Sequence, residues 1–467
     1  MRVNAYLAGQ FEPAEGDPVL SLNPSQPSDI VIEGASGSST QAARTLQSAA
    51  DAGPAWAKKT GPERADALYR WAAKIGERSE EMAQAIAREV GKPIGEARGE
   101  VGRCVAILRY YAGECVREMG SVVPPLVSGS LQFSLRQPVG VCVLITPWNF
   151  PLAIPLWKAA PALAYGNTVV LKPSELSPYC AQLLAETAHA AELPAGVFNV
   201  LPGTGAGVGS ALLDPKLTRA MSFTGSQKVG MMLGEAAARA NIKFQGEMGG
   251  KNVAIVAADA DLDQAAALIA GGAFRYAGQK CTATSRVVAD RRIAAELIQK
   301  LEDHVAKLPL APVTDATCAI GPLISASSRD KTYERLGHHA PAKPDLDGFF
   351  LPATLLTDLD PSNALVQDEL FAPVLAVLTA EDLSEAIDLA NRTPFGLSAA
   401  LFTKNIGQAL TYVHQIEAGM VRVNGDTTGV DPHAPFGGMK GSSTHSREQG
   451  RAAIEFYTDI KTVQINP

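Results

Sequence analysis

The sequence predicts an α/β protein with two doubly wound, mostly parallel sheets and a small additional β-sheet. Three observations support this fold class. Short apolar strands alternate with helices from Val139 onward, and a second α/β region runs from Leu262 to about Asn424. Exposed strands are indicated before Pro138 and at the C-terminus. Alternation of strands and helices is typical of parallel sheets, because each parallel crossover needs a helix-length connection.

The segment from Ser38 to Tyr111 is predicted to be helical. Apolar residues recur at three- and four-residue spacing in PERADALYRWAAKIGERSEEMAQAIAREVG. SGSLQFSLRQP then alternates apolar and polar residues, which predicts a strand with one solvent-facing side. The C-terminal IEFYTDIKTVQI has the same exposed character, and we expect the two strands to extend a sheet between subunits.

The alternating part begins with the predicted strands VGVCVLITP, NTVVLKPS, VFNVLPG and KLTRAMSFTGS. Helices are predicted near Ile154 to Tyr165, from Pro178 to Ala191, and after Gly225. IKFQGEMGGKNVAIV follows, and AALIAGGAFRYAGQKCTATSRVVA then reads as a helix that leads through a loop into a strand. That loop contains Cys281. The order predicts a mostly parallel, doubly wound sheet.

Composition excludes several classes of protein. A chain of 467 residues usually forms two or three domains, and 46% hydrophobic with 19% charged residues argues against disorder. A net charge of −7 gives no reason to expect nucleic-acid binding. The uncharged run from Gln137 to Trp157 has membrane length, but four prolines interrupt it, so we expect no membrane span. No signal peptide is recognised, and a cytoplasmic protein is expected.

The six cysteines form no CxxC pair, so reduced thiols are expected, most of them small buried hydrophobes. Cys281 has the most suggestive context, because it stands beside Lys280 at the end of an apolar helix. A neighbouring cation favours the thiolate, which is the nucleophilic form of cysteine. The alternative is a buried structural cysteine.

Two further residues fit a covalent mechanism. Glu247 lies between apolar residues and glycines at the end of a predicted strand, a setting that raises a carboxyl pKa and suits a general base. Asn149 follows a buried strand, at the carboxyl end where open α/β sheets bind ligands, and its amide can stabilise an oxyanion. The alternatives are a surface turn for Glu247 and a simple turn residue for Asn149.

Other motifs, distinct from the candidate catalytic residues, indicate a cofactor site. The glycines from Gly203 to Gly207 have the wrong spacing for a dinucleotide fingerprint, whereas in FTGSQKVG the pair Gly225 and Ser226 follows a strand and opens a helix. A pyrophosphate can bind at such a helix N-terminus. In KPSE, Lys172 and Glu175 end another strand, and a carboxylate there favours NAD over NADP.

Together the motifs ITPWNFP, LKPSE, FTGSQKVG, EMGGKN, GQKCTATSR, DELFAPV, PFGLSAALFT and PFGGMKGS resemble the aldehyde dehydrogenase superfamily, in family order over about residues 130 to 440. The resemblance implies catalytic roles for Cys281 as nucleophile, Glu247 as base, Asn149 as oxyanion donor, and Lys158 with Glu448 as a proton-relay pair. It implies a cofactor site at Trp148, Lys172, Ser174, Glu175, Gly205, Phe223, Gly225, Ser226, Gly249, Glu369 and Phe371.

The resemblance also implies the architecture: two doubly wound Rossmann-like domains and a small oligomerisation sheet. The expected division is an NAD(P)-binding domain (1–118 and 139–249), a catalytic domain (250–440) and an oligomerisation segment (119–138 and 441–467). A homodimer or homotetramer, NAD or NADP with NAD preferred, and no metal are expected. The family usually has Gly at Ala372 and Leu at Met248, and we expect neither change to remove activity.

Substrate choice is suggested by the tail KGSSTHSREQGRAAIEFYTDIKTV, which resembles the α-ketoglutaric semialdehyde (2,5-dioxovalerate) dehydrogenase subgroup. Arg275, six residues before Cys281, is a candidate for binding the distal carboxylate of a semialdehyde. Its alternative is a helix cap or a surface ion pair. The predicted apolar wall of the substrate site comprises Phe150, Ile154, Trp157 and Phe436, for each of which core packing is the alternative.

Other functions stay open at this level. Succinate semialdehyde, glutarate semialdehyde and other aldehydes are alternative substrates. A CoA-acylating dehydrogenase would not need the water-activating Glu247, and a non-catalytic scaffold would not need the set of Cys281, Asn149 and Glu247. A thiol hydrolase needs a histidine partner, and the seven histidines lie in no recognisable motif.

Overall fold

The computed structural model describes residues 2–467 of the chain. This part begins with the strands β1 (Asn4–Leu7), β2 (Gln10–Pro13), β3 (Pro18–Asn23) and β4 (Gln26–Ala35). The helices α1 (Ser39–Ala57), α2 (Gly61–Glu77), α3 (Ser79–Val90) and α4 (Ile94–Glu114) follow. The helical segment predicted from Ser38 to Tyr111 is therefore confirmed. Capping boxes at Ser38 and Thr60 begin α1 and α2, because each side chain accepts from an otherwise unpaired backbone N–H.

The next region builds the first large sheet. Its elements are β5 (Gly120–Val123), β6 (Leu131–Pro138), β7 (Val141–Ile145), α5 (Ala153–Ala164), β8 (Thr168–Lys172), α6 (Pro178–Ala190), β9 (Phe198–Val200), α7 (Gly205–Val208), β10 (Thr218–Thr224), α8 (Gln227–Arg239) and β11 (Lys243–Glu247). The strand order is β11-β10-β7-β8-β9-β1-β2, and β7 to β11 are parallel. The chain runs outward from β7 to β9 and returns on the other side with β10. The junction of β7 and β10 is thus a topological switch point, where open sheets bind ligands.

The second large sheet is wholly parallel, in the order β14-β15-β13-β12-β17-β18. Its region comprises β12 (Asn252–Val256), α9 (Leu262–Phe274), β13 (Thr284–Asp290), α10 (Ala294–Val305), α11 (Ala326–Leu336), β14 (Thr354–Leu356), α12 (Ala364–Gln367), β15 (Val374–Ala380), α13 (Leu383–Asn391), β16 (Phe395–Gly396), β17 (Ser398–Phe402), α14 (Ile406–Gln415) and β18 (Met420–Val423). Helices cover this sheet, so β12 and β17 are buried throughout, as parallel strands require.

The chain ends with β19 (Met439–Lys440), α15 (Ile454–Tyr457) and β20 (Thr458–Ile465). β20 pairs antiparallel with β6 along its whole length, and β5 completes a separate three-stranded sheet. Both strands predicted to be exposed therefore share one small sheet. The preceding stretch, 441–457, lies outside that sheet, and its Ser443 forms a backbone bridge with Glu247 of the first large sheet.

The two large sheets are connected by residues 248–251, between β11 in one sheet and β12 in the other. Side chains that flank this connection can therefore face a cleft between two rigid sheets. Among residues 2–467, no helix is long and apolar enough to span a membrane. The apolar run from Gln137 to Trp157 is instead divided between β6, β7 and α5, as its prolines indicate.

Candidate active site

A cavity of about 260 Å³ lies at the switch point, between the ends of β7 and β10 and the Cys281 loop. Thr224 and Met248 contribute to its wall. The site residues predicted from the sequence that line it are Trp148, Asn149, Ile154, Gly225, Ser226, Gly249, Cys281, Glu369 and Phe371. The fold thus brings the predicted nucleophile, oxyanion donor and much of the predicted cofactor site to one cavity.

The Cys281 loop is held in a defined shape. After α9, Tyr276 and Ala277 adopt left-handed backbone angles, with φ of 56° and 51°, which turn the chain toward Cys281. Side chains rarely tolerate this conformation, and such strain is concentrated at functional sites. The Asn252 side chain fixes the far side of the loop, because its Nδ2 donates 2.8 Å hydrogen bonds to the carbonyls of Cys281 and Ala283.

Asn149 is buried and faces the same loop. Its Nδ2 donates a 3.1 Å hydrogen bond to the carbonyl of Gln279, two residues before Cys281. That bond uses one of the two amide hydrogens and fixes the orientation of the group, so that the second hydrogen is available to a ligand. The arrangement suits a donor that stabilises an oxyanion on a carbon bound to Cys281.

The Cys281 thiol is partly exposed to the cavity but lies in an environment that opposes ionisation. Burial, and then the negative charges of Glu369 and Glu247, raise the pKa of Cys281 to about 12, whereas its own backbone N–H lowers it. The prediction that Lys280 activates the thiol is wrong, because the Lys280 ammonium forms an ion pair of 2.8 Å with Glu96. A proton acceptor at the site is therefore needed to form the thiolate.

Glu247 is fully enclosed at the end of β11. Burial and the charge of Glu448 raise its pKa well above the usual carboxyl value, as its setting between apolar residues and glycines predicts. Ser443 donates a 2.5 Å hydrogen bond to Oε2, while Oε1 has no partner among the described residues. A Cβ on Gly437, whose φ is +147°, would lie 2.9 Å from Oε1, so glycine leaves space beside that buried oxygen. Glu247 thus has one free basic oxygen.

Lys158 and Glu448 form a buried ion pair behind Glu247. Ser222 accepts a 2.7 Å hydrogen bond from Lys158 and lies 3.0 Å from Glu448, and Trp157 donates a 2.7 Å bond to the same carboxylate. The network fixes both charges. The Lys158 charge also lowers the pKa of Glu247, although less than burial raises it.

Glu369 faces the connection between the two sheets. Its Oε1 accepts a 3.2 Å hydrogen bond from the Gly250 N–H, and a Cβ on Gly249 would lie 2.0 Å from Oε2. Burial raises the pKa of Glu369 to about 7. Trp148 and Phe371 meet edge to face at 5.6 Å across the same part of the cavity. These groups form a carboxylate-bearing, aromatic-walled end of the cleft.

The remaining predicted cofactor residues surround the first sheet without lining this cavity. Lys172 ends β8 and is buried, with Nζ 3.6 Å from the partly exposed carboxylate of Glu175. Ser174 accepts a 3.2 Å hydrogen bond from the Leu176 N–H in the same turn. Phe223 is buried in β10 beside Gly225, and Gly205 begins the short helix α7.

The predicted substrate residues divide into four groups. Ile154 lines the cavity, whereas Trp157 and Phe436 are buried and stack with ring centres 5.2 Å apart. The Phe150 ring lies 3.7 Å from the Lys92 ammonium. Arg275 ends α9 with an exposed side chain, does not line the cavity and forms no ion pair within residues 2–467. Arg275 thus lies outside this cavity, as do Phe150, Trp157 and Phe436.

Several residues that contact the site carry no sequence signal of their own. Ser443, Ser222 and Asn252 are polar residues distant from their partners along the chain. The position of Asn252 directly after the GGK sequence is the one local feature that could have indicated its role.

Comparison with known proteins gives the context for this geometry. The model of the aldehyde dehydrogenase family matches residues 11–463 of the chain.

The chain belongs to the aldehyde dehydrogenase family.

Relatives are similar over nearly their whole length. The α-ketoglutaric semialdehyde dehydrogenase of Bacillus subtilis is 42% identical, over 99% of this chain and 98% of that protein. An α-ketoglutarate semialdehyde dehydrogenase of Haloferax volcanii is 37% identical, over 98% of each. The crystal structure of betaine aldehyde dehydrogenase from Staphylococcus aureus in complex with NAD+ superposes with a TM-score of 0.96 at 31% identity, covering 99% and 95% of the two chains. This aldehyde dehydrogenase is thus an oxidoreductase that acts on aldehydes.

Proposed function

We propose that the enzyme oxidises a carboxylated semialdehyde, with α-ketoglutaric semialdehyde as the leading candidate, to the carboxylic acid. The proposed route passes through a thiohemiacetal and a thioester on Cys281. The observation that supports this chemistry most directly is that Cys281 and Asn149 line the same cavity. The negative charge of Glu247 also raises the pKa of the Cys281 thiol. The substrate class is supported by the names of two relatives that match over nearly the whole chain.

The cleft fits NAD, which the related betaine aldehyde dehydrogenase structure contains. The Thr224 hydroxyl on the cavity wall is buried without a hydrogen-bond partner among the described residues, and Gly249 leaves space where a Cβ would meet Glu369. We propose that Trp148, Lys172, Ser174, Glu175, Gly205, Phe223, Gly225, Ser226, Gly249, Glu369 and Phe371 hold it. The Glu175 carboxylate beside Lys172 favours NAD over NADP, because a 2′-phosphate would be repelled.

In the proposed mechanism, the sulfur of Cys281 forms a bond to the aldehyde carbon as its proton leaves for a base. Glu247 is the acceptor we assign, since its raised pKa makes the carboxylate more basic and its Oε1 has no hydrogen-bond partner among the described residues. Asn149 Nδ2 and the Cys281 backbone N–H stabilise the negative charge on the former carbonyl oxygen. When bound, NAD supplies the hydride acceptor that allows the adduct to become a thioester.

Glu247 then completes turnover. We assign Lys158 and Glu448 to the transfer of the Cys281 proton away from Glu247, through a network that includes Ser222. Because Lys158 and Glu448 are both buried, the proton path between them has a fixed geometry. The Glu247 carboxylate then removes a proton from water, whose oxygen bonds to the thioester carbon as the bond to sulfur breaks. The acid is released, and the departing thiolate takes a proton from Glu247, which regenerates the Cys281 thiol.

We propose a homodimer or homotetramer, with the exposed apolar residues of the small sheet, such as Val122 and Ile460, facing another subunit. The domain division expected from the sequence is kept as a proposal, with cofactor binding in 1–118 and 139–249 and catalysis in 250–440. A cytoplasmic location is proposed because the six cysteines are unpaired.

A panel of aldehydes tested with NAD and with NADP examines this function directly. It contains α-ketoglutaric, succinate and glutarate semialdehydes, betaine aldehyde, and the uncharged pentanal and butanal. We expect the highest kcat/KM for α-ketoglutaric semialdehyde with NAD, measured by the absorbance of reduced nicotinamide. Highest activity with betaine aldehyde would contradict the proposed substrate, and a strict requirement for CoA would contradict the hydrolytic mechanism.

A further inference from the structure

Arg103 lies on α4, and its half-buried guanidinium has few hydrogen-bond partners within residues 2–467. Its Nε is enclosed and has no hydrogen-bond partner in the described part of the chain. The terminal nitrogen Nη2 donates a 3.0 Å hydrogen bond to Oε1 of Gln449. No described carboxylate lies within ion-pair distance of Arg103. Of the five N–H donors of a guanidinium, one therefore has a protein partner among the described residues.

The surroundings of Arg103 belong to the active site. Its guanidinium carbon lies 6.0 Å from the centre of the Trp157 ring, and Trp157 is hydrogen-bonded to Glu448. Gln449, the hydrogen-bond partner of Arg103, directly follows Glu448 and has a left-handed backbone with φ of 59°. A negative charge on Cys281 would raise the pKa of Arg103, which indicates that the two side chains lie near each other. Arg103 is not among the residues that line the cleft assigned to NAD.

The nearby acidic groups do not neutralise this cation. Glu100 is paired with Lys92 and accepts 3.0 Å hydrogen bonds from the backbone N–H groups of Leu152 and Ala153. Asp431 is exposed, where solvent screens its charge. Burial lowers the pKa of Arg103, which reflects the cost of enclosing an unpaired charge. An anionic ligand would remove that cost.

We propose that Arg103, held by Gln449 and Trp157, binds the distal carboxylate of the semialdehyde and thereby selects substrates with an acid group remote from the aldehyde. This inference rests on the proposed function, and it assigns to Arg103 the role that the sequence suggested for Arg275. A guanidinium can bind a carboxylate through two parallel hydrogen bonds, which fixes the far end of a short substrate. An uncharged aldehyde leaves the enclosed Arg103 guanidinium without an anionic partner. The binding of that aldehyde is therefore weakened by more than the loss of one attractive contact.

The test compares kcat/KM for α-ketoglutaric semialdehyde with that for pentanal in the wild type and in Arg103→Met. We expect a loss of about a hundredfold for the carboxylated substrate, the size of a lost charged hydrogen bond, and little change for pentanal. Arg103→Lys keeps the charge without the planar fork, and an intermediate loss is expected. Arg109→Met, an exposed arginine on the same helix, is the matched control and should leave both values unchanged.

A second readout is independent of turnover. The dicarboxylate α-ketoglutarate, the product of the proposed reaction, should slow alkylation of Cys281 by iodoacetamide in the cofactor-free wild type but not in Arg103→Met. Three results would overturn the inference. Arg103→Met and Arg103→Lys could lose the same factor for both aldehydes, α-ketoglutarate could protect Cys281 equally in wild type and Arg103→Met, or Arg275→Leu could show the selective loss instead. Wild-type enzyme that oxidises pentanal and the semialdehyde equally well would overturn it too, while leaving aldehyde oxidation intact. Absence of any aldehyde oxidation with NAD or NADP would instead remove the proposed function.

Discussion

Ser443 donates a 2.5 Å hydrogen bond to Oε2 of Glu247, although 196 residues separate the two side chains in the sequence. The bond stabilises the charged carboxylate and partly offsets the burial that raises the pKa of Glu247. It also leaves Oε1 as the free oxygen of the proposed base. The serine therefore sets both the basicity and the orientation of Glu247.

Ser443→Ala should make Glu247 harder to ionise, because the hydrogen bond that favours the carboxylate is lost. If Glu247 acts as a base, the rising limb of the pH profile of kcat moves to higher pH, and kcat near pH 7 falls about tenfold. Steady-state rates across pH measure the shift. Ser443→Thr keeps the hydroxyl and is the control. A lower kcat without movement of the profile would show that Ser443 does not tune the base.

Lys158→Met should destabilise the protein strongly. The substitution leaves the Glu448 carboxylate buried without its cation, and breaking such a pair costs about 3–5 kcal/mol of unfolding free energy. Thermal and denaturant melting measure the loss. Lys300→Met breaks an exposed pair with Asp263 and should change Tm little. An equal effect of both variants would mean that the Lys158 pair is not desolvated as described.

Alkylation of Cys281 in the cofactor-free enzyme should be slow at neutral pH. Because the thiol pKa is raised to about 12, the thiolate fraction should keep increasing about tenfold per pH unit beyond pH 9. Iodoacetamide labelling followed by mass spectrometry gives the rate at each pH, with the partly exposed Cys318 as an internal comparison. A plateau near pH 8 would instead indicate a thiol activated by a cation.

Glu369→Gln should stabilise the cofactor-free protein at alkaline pH. The pKa of Glu369 is about 7 in the folded state against 4.5 for the ordinary group, so the folded state holds its proton more tightly than the unfolded chain. That contribution to stability is complete below pH 4.5 and is lost as pH rises through 7. Glutamine stays neutral, so the variant should gain about 3 kcal/mol relative to wild type at pH 8 to 9. Tm measured against pH tests this, and a constant difference across pH would contradict it.

Much of the fold could be predicted because local signals and tertiary packing agree. Strands β7, β8 and β12 are short apolar runs buried on both faces, and helices α1 to α4 have regular apolar spacing. The positions of Asn149 and Glu247 at strand ends followed from the same alternation, since the carboxyl ends of parallel strands meet at one edge.

Contacts between distant segments could not be predicted in this way. Lys280 lies next to Cys281 in sequence, yet its ammonium group is paired with Glu96, 184 residues away. Arg275 has suitable spacing from Cys281, but the chain turns after α9 and leaves it exposed. Arg103 showed no motif, and its unused donors became evident only when its surroundings were known.

The most direct test of the central claim is a rapid-mixing experiment with α-ketoglutaric semialdehyde and NAD. Glu247→Gln should release the first reduced nicotinamide more slowly than wild type, because the base for the Cys281 proton is lost. It should then stop at about one per subunit, because the Cys281 thioester is not hydrolysed. Cys281→Ser should produce neither a burst nor turnover. Full oxidation by Cys281→Ser, or undiminished steady turnover by Glu247→Gln, would contradict the assignment of these two residues.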